Sequence, residues 1–283
     1  MRREMKREMK NARLRIGAAA LSLLLALTLL VGCTLPSDIS DVLSPAGYTE
    51  SAASSAKTTD ASGVSAAAPV TTPSVGAEKG GEHSGFDPDA IPPYSGSVYI
   101  TVCDGIPDFS DDELTPVSFE QYAELDSLGR CGVCTASVGR DIMPTEKRGS
   151  IGQVKPTGWH TVKYDFVDGK YLYNRCHLIG FQLTGENANT RNLITGTRYL
   201  NVEGMLPFEN MVADYVKETD NHVMYRVTPV FIGDELLARG VHIEALSVED
   251  DGDGICFNVY CYNVQPGVSL DYATGESEAE RAA

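Results

Sequence analysis

Residues 96–274 read as an α+β domain: an antiparallel β-sheet with helices packed against it. Three observations predict this. Strand-like runs at 222–231, 236–247 and 254–264 follow one another with only short turns between them, and runs joined that tightly pair antiparallel. One amphipathic helix, 206–218, precedes them without the strand–helix alternation of a parallel sheet. Asp168-Gly169 stands between two further strand-like runs, 162–167 and 170–173, a two-residue hairpin signal.

From the N-terminus, residues 1–15 carry Arg2, Arg3, Lys6, Arg7, Lys10, Arg13 and Arg15, and an apolar or small run fills 16–32. A basic head, a short apolar stretch and a small residue before the cut describe a secretory signal, and the run is short for a membrane span. Leu30-Val31-Gly32-Cys33 resembles the bacterial lipobox. That resemblance implies a signal peptide over 1–32 and a lipidated Cys33 that anchors an extracytoplasmic lipoprotein to the cell membrane. Residues 33–95 are rich in Ser, Ala, Thr, Pro and Gly and almost lack large apolar side chains. Such a segment cannot offset its own ordering entropy and reads as a low-complexity flexible tether.

Within the domain, 98–102 is the opening strand. A short helix is expected over 116–125, because Ser118 and Gln121 stand at capping-box spacing. In the helix 206–218, Phe208, Met211, Val212, Tyr215 and Val216 fall on one face, and Pro207 suits its first turn. Gly233-Asp234 and residues 249–254 supply the turns of the final meander. The polar, acidic tail 275–283 is expected to fray.

The chain holds 39 Asp and Glu against 23 Lys and Arg, a net charge of −16. Removing residues 1–32 takes away seven basic and two acidic side chains and leaves about −21. This excludes a protein that coats nucleic acid through bulk charge, but not one with a local basic cleft. With 42% apolar and 22% charged residues and no heptad, triplet or internal repeat, wholesale disorder, collagen and coiled coil are excluded too.

The chemistry is concentrated in residues 171–210, YLYNRCHLIGFQLTGENANTRNLITGTRYLNVEGMLPFEN. Arg175, His177, Asn187, Asn189, Arg191, Asn192, Arg198, Asn201 and Glu209 alternate there with apolar anchors. A plain sheet-to-helix connection has no need of so many guanidinium, imidazole and amide groups. Phosphodiester hydrolysis needs these types: a base for water, a hard cation on a phosphate oxygen, and arginine against the charge.

Asn174-Arg175-Cys176-His177 resembles the Asp-Arg-Gly-His motif of the DNA/RNA non-specific endonucleases, the ββα-metal group that includes DNA-entry nucleases and secreted streptococcal DNases. Asn192 and Asn201 lie nine apart and Glu209 eight further on, as in that family's active-site helices. The similarity extends through MPTEKRG and KPTGWH upstream and HVMYRVTPVF and NVYCYNVQPG downstream. It implies a ββα-metal active-site motif and a sequence-non-specific endonuclease acting on DNA outside the cell, with RNA as the second candidate substrate.

By position, the resemblance makes His177 the general base, with Arg175 beside the scissile phosphate and Asn201 the protein ligand of Mg²⁺, for which Mn²⁺ could substitute. Asn192 and Glu209 would support the water or the metal shell, while read on its own Asn192 is equally a candidate helix cap. The cluster adds Arg191, Arg198, Lys147, Arg148 and Lys155 as candidate phosphate contacts. Two positions depart from the family: Asn174 replaces the usual Asp and Cys176 the usual Gly. They support an alternative reading as a surface DNA-capture lipoprotein with weak or lost catalysis. No obligate protein partner is evident in the sequence.

Cys131 and Cys134 have CxxC spacing, but no second pair completes a zinc site, so a buried strand pair or a disulfide is expected. Residues 249–254 lack the ligand pattern of a calcium loop. His160, His222 and His242 read as ordinary surface or strand residues.

Overall fold

The computed structural model describes residues 85–280. The expected signal peptide, the expected lipidation at Cys33 and the expected tether as far as residue 84 lie outside the described residues.

In chain order the strands are β1 (Tyr99–Thr101), β2 (Phe119–Tyr122), β3 (Cys134–Val138), β4 (Tyr173–His177), β5 (Leu193–Thr197), β6 (Val223–Val230), β7 (Gly240–Ser247), β8 (Cys256–Tyr262), β9 (Val268–Leu270) and β10 (Ser277–Ala279). Six form one sheet in the order β1-β8-β7-β6-β3-β2, while β4 pairs with β5 and β9 with β10 as separate ribbons. Every ladder is antiparallel. The architecture is α+β, as expected.

The meander β6–β7–β8 is rich in Val, Ile and Tyr, which suit a pleated surface. One face, with Tyr225, Val227, Ile243, Ala245, Val259 and Cys261, shares a single core with Phe208, Val212, Ala213 and Val216 of the long helix Leu206–Thr219. Met211, expected in that core, is instead 49% exposed. The buried stripe follows Phe208, Val212 and Val216 at i, i+4 and i+8, and Met211 falls off its edge.

The other face of the meander is polar and also buried. Arg226 pairs with Glu244 at 2.9 Å and Glu113 at 2.9 Å, and its guanidinium lies 4.5 Å from the Phe109 ring centre. Phe86 stacks on His242 at 3.8 Å, and Tyr262 donates to the Pro92 carbonyl at 2.8 Å. Residues 86–94 are therefore packed on the sheet, so the ordered domain reaches back beyond the expected start at residue 96.

Four local expectations change. Residues 119–122 are a strand and not a helix: Phe119 pairs with Ser137 and Tyr122 with Cys134. The Ser118 hydroxyl donates to Asp141 rather than capping a helix, and sheet pairing outweighs the weak drive of a ten-residue helix. The hairpin near Asp168 keeps one bridge, Lys163 with Tyr171, because the chain turns through left-handed Gly169 and Lys170. The second run of the meander, 236–247, shortens to Gly240–Ser247. The acidic tail, expected to fray, pairs Ser277 with Leu270 and Ala279 with Val268.

Candidate active site

β4, β5 and the long helix form a strand–strand–helix unit, and the residues singled out above are distributed over it. Strand alternation puts Arg175 and His177 on one face of the ribbon and Asn174 and Cys176 on the other. His177 pairs with Leu193, Cys176 with Ile194 and Arg175 with Thr195.

His177 is 6% exposed. Its Nε2 lies 2.7 Å from the Asn187 carbonyl and its Nδ1 3.2 Å from Nη2 of Arg148. A carbonyl can only accept and a guanidinium can only donate. Nε2 therefore carries the proton, and the lone pair is on Nδ1. Burial, the larger effect, and the Arg148 charge outweigh the Asn187 hydrogen bond and push the imidazole pKa down to about 4. A neutral ring with one fixed lone pair can take a proton from water.

Arg175 is committed to the preceding loop. Its guanidinium donates to the carbonyls of Val154 and Gly152, the latter at 2.8 Å, and lies 4.0 Å from the Trp159 ring centre. It braces residues 152–159 against β4. Asn192 is fully buried, and its amide clamps the backbone of Ile179: Oδ1 accepts from the Ile179 N–H at 2.8 Å and Nδ2 donates to its carbonyl at 2.9 Å. Asn192 thus fixes the chain two residues beyond His177.

Asn201 stands in a π-helical segment, Leu200–Met205, that feeds into the long helix. Such bulges recur at functional sites because they re-aim side chains. Thr197 anchors its entrance, accepting from the Leu200 N–H at 3.0 Å and donating to the Val264 carbonyl at 2.6 Å. Asn263, fully buried, ties Thr197 and Thr195 of β5 to Ala238. Sequence reading gave Asn263 no role, since its partners become neighbours only in the fold. Glu209 lies in the first turn of the long helix, its carboxyl end against Gly180, where any Cβ would overlap it. Burial raises its pKa to about 7, although Gln182 and Arg148 oppose the shift.

The candidate phosphate residues are scattered. Arg191 pairs with Glu124 at 2.5 Å and Arg198 with Asp168 at 2.8 Å. Lys155 lies on the wall of a cavity of about 170 Å³ beside Val154 and Leu193. Of the basic residues considered, the structure brings Arg148 onto His177.

The two departures from the usual motif now have surroundings. Asn174 leaves its amide nitrogen buried without a partner among the described residues. Cys176 is fully buried, and burial lifts its thiol well above the ordinary range, so it is packing rather than a reactive thiol. Its sulfur fits because residue 196 lacks a Cβ: one built there would overlap the sulfur and lie 3.2 Å from Leu200 Cδ2. Gly196→Ala is expected to cost about 1–3 kcal/mol. Adding Cys176→Ala should recover most of the thermal midpoint, and two additive losses would rule out the clash.

Cys131 and Cys134 are both free and buried. Cys131 Sγ lies 3.3 Å from the carbonyls of Thr190 and Leu193, and Cys134 Sγ 3.5 Å from that of Arg191. Of the two expectations the disulfide is not formed, and both thiols are buried, though only Cys134 lies in a strand, β3, while Cys131 precedes it.

Comparison with known proteins agrees with this layout. A protein named deoxyribonuclease from Streptococcus dysgalactiae subsp. equisimilis is 34% identical over 111 residues, 37% of this chain and 32% of that protein. The match thus spans about a third of that relative's length. The crystal structure of NucA from Streptococcus agalactiae with magnesium ion bound superposes with a TM-score of 0.57 at 25% identity, over 64% of this chain and 87% of that one. The structure of Sda1 nuclease with bound zinc ion gives 0.53 at 25% identity, over 66% and 97%. The model of the DNA/RNA non-specific endonuclease family matches residues 107–249, half of the sequence and all of the strand–strand–helix unit, and the chain belongs to that family.

Proposed function

We propose that the protein is a metal-dependent endonuclease that hydrolyses DNA phosphodiester bonds with little sequence preference. The observation that carries this reading is the fixed tautomer of His177: Nε2–H is tied to Asn187 and the lone pair sits on Nδ1. In the reaction, Nδ1 removes a proton from the attacking water, and Asn187 holds the ring in orientation as it becomes charged. Asn192 keeps the strand end in place by clamping Ile179, and Arg175 holds the 152–159 loop beside it. Contacts made mainly to phosphates carry no direct base information, which accounts for low sequence preference.

Among the described residues no three His, Cys, Asp or Glu side chains converge as a ligand set. The Asn201 side chain makes no hydrogen bond to a described residue, which suits a hard cation that keeps most of its waters. Asn201 would hold Mg²⁺ or Mn²⁺, which when bound supplies charge neutralisation at the phosphate. Asn201→Ala should lower the rate at 1 mM-scale Mg²⁺ by about 10–100-fold, with partial recovery at higher Mg²⁺. A loss that no amount of metal relieves would remove Asn201 as the ligand.

The relatives are named as nucleases, and together with the signal-like N-terminus this supports a place outside the cell, held at the membrane through Cys33. The test is supercoiled plasmid incubated with the chain from residue 85 onward, with Mg²⁺, with EDTA and with His177→Ala. Nicking that needs both metal and His177 supports the proposal. Plasmid that is retarded on a gel but never cut would favour DNA capture, and RNA in the same assay sets the second substrate.

A further inference from the structure

Arg148 occupies the position the attacking water needs. The only lone pair on His177 is at Nδ1, and Nη2 of Arg148 lies 3.2 Å away on that nitrogen. A water to be activated must lie about 2.6–3.2 Å from the same atom. The two cannot share it, so the base is blocked while the contact stands.

The contact is also built to release. Residues 145–150 are exposed throughout, and none of them makes a backbone–backbone hydrogen bond to a described residue. Segments of that kind open at small cost. Burial of the guanidinium lowers the Arg148 pKa, and the nearby Glu209 charge works against that. Cys176 is the other titratable group within electrostatic reach, and its thiol is neutral. A phosphodiester oxygen offers arginine what a neutral imidazole cannot, an opposite charge at the acceptor.

We infer that Arg148 is a substrate-displaced cap on the base: it covers Nδ1 of His177 in the resting enzyme, and an arriving phosphodiester draws it away. This rests on the nuclease reading and adds a coupling to it. The base is exposed mainly when a phosphate is present to be cut, and the group that leaves the base becomes the phosphate's counter-charge. Arg148 acts through His177 in the resting state and is there a positioning residue.

The test reads imidazole access without requiring turnover. Diethyl pyrocarbonate acylates an imidazole at its lone-pair nitrogen, and peptide mass spectrometry reports the rate at His177. A charge-assisted hydrogen bond should hold the cap closed about ten times more often than open. Two changes should therefore raise the rate about tenfold: Arg148→Gln, and saturating dimethyl phosphate added to the parent protein. Dimethyl phosphate should add nothing to Arg148→Gln.

An equal rate in the parent and in a folded Arg148→Gln overturns the cap. A faster variant combined with a parent that dimethyl phosphate leaves unchanged overturns phosphate displacement, and so the proposal. If Arg148→Gln fails to fold, the dimethyl phosphate titration of the parent decides alone. Loss of plasmid cutting in the parent would sink the nuclease reading while leaving the acylation result intact, so the two failures are distinguishable.

Discussion

His177→Ala is expected to cut plasmid about 10²–10⁴-fold more slowly than the parent, the usual worth of a positioned general base. Its thermal stability should change far less. The substitution frees the Asn187 carbonyl and the Arg148 guanidinium, and the latter sits on an exposed loop where water replaces the lost contact. A net cost of about 1–2 kcal/mol follows. A variant that kept more than about a tenth of the parent rate would rule out His177 as the base.

The pH dependence separates the two titrating groups of the site. The His177 pKa is lowered to about 4 from the ordinary 6.5. As pH falls through that window the unfolded chain takes up a proton that the native site refuses, so native stability is lost on acidification. Glu209 is raised to about 7 from 4.5. Between those values the native state keeps a proton that the unfolded chain has released, and its contribution is lost as pH rises. The slopes oppose each other over the overlap from 4.5 to 6.5. His177→Ala removes only the first, so the variant should gain thermal midpoint relative to the parent as pH drops from 8 to 5. A difference that stays flat would mean that His177 is not held neutral by burial.

How much of this was legible beforehand depended on the range of the interaction. The long helix and the β6–β8 meander follow from periodicity and short turns, both local, and they appear within a few residues of the expected bounds. The Ser118–Gln121 spacing pointed to a helix because capping is local too, while the ladder between β2 and β3 that prevails is tertiary. His177 and Asn201 stood out through motif and spacing. The hold of Arg148 on His177 links residues 29 apart, and that of Asn263 on Thr197 links residues 66 apart. Neither pairing leaves a periodic trace in the sequence. Gly196 is a plain strand glycine until the Cys176 sulfur is placed above it.

Asn192 gives the sharpest contrast between sequence and structure, and the second large effect. From spacing alone its amide was a candidate for the reaction or for a helix cap. In the fold both of its polar atoms are spent on Ile179, at a site with no solvent access. Asn192→Ala leaves a buried N–H and a buried carbonyl without partners, at about 1–3 kcal/mol each. The expected loss is therefore about 2–5 kcal/mol, against about 1 kcal/mol for a lost cap. Asn192→Asp should fare little better: it still accepts from the Ile179 N–H but sets a second oxygen against the Ile179 carbonyl. An amide acting on substrate would behave in the opposite way, with the rate collapsing at an unchanged melting temperature. Rate and melting curve measured on the same samples decide between them. If the clamp is the role, cooling to where Asn192→Ala is folded should return most of the lost activity, because the groups that do the chemistry are untouched.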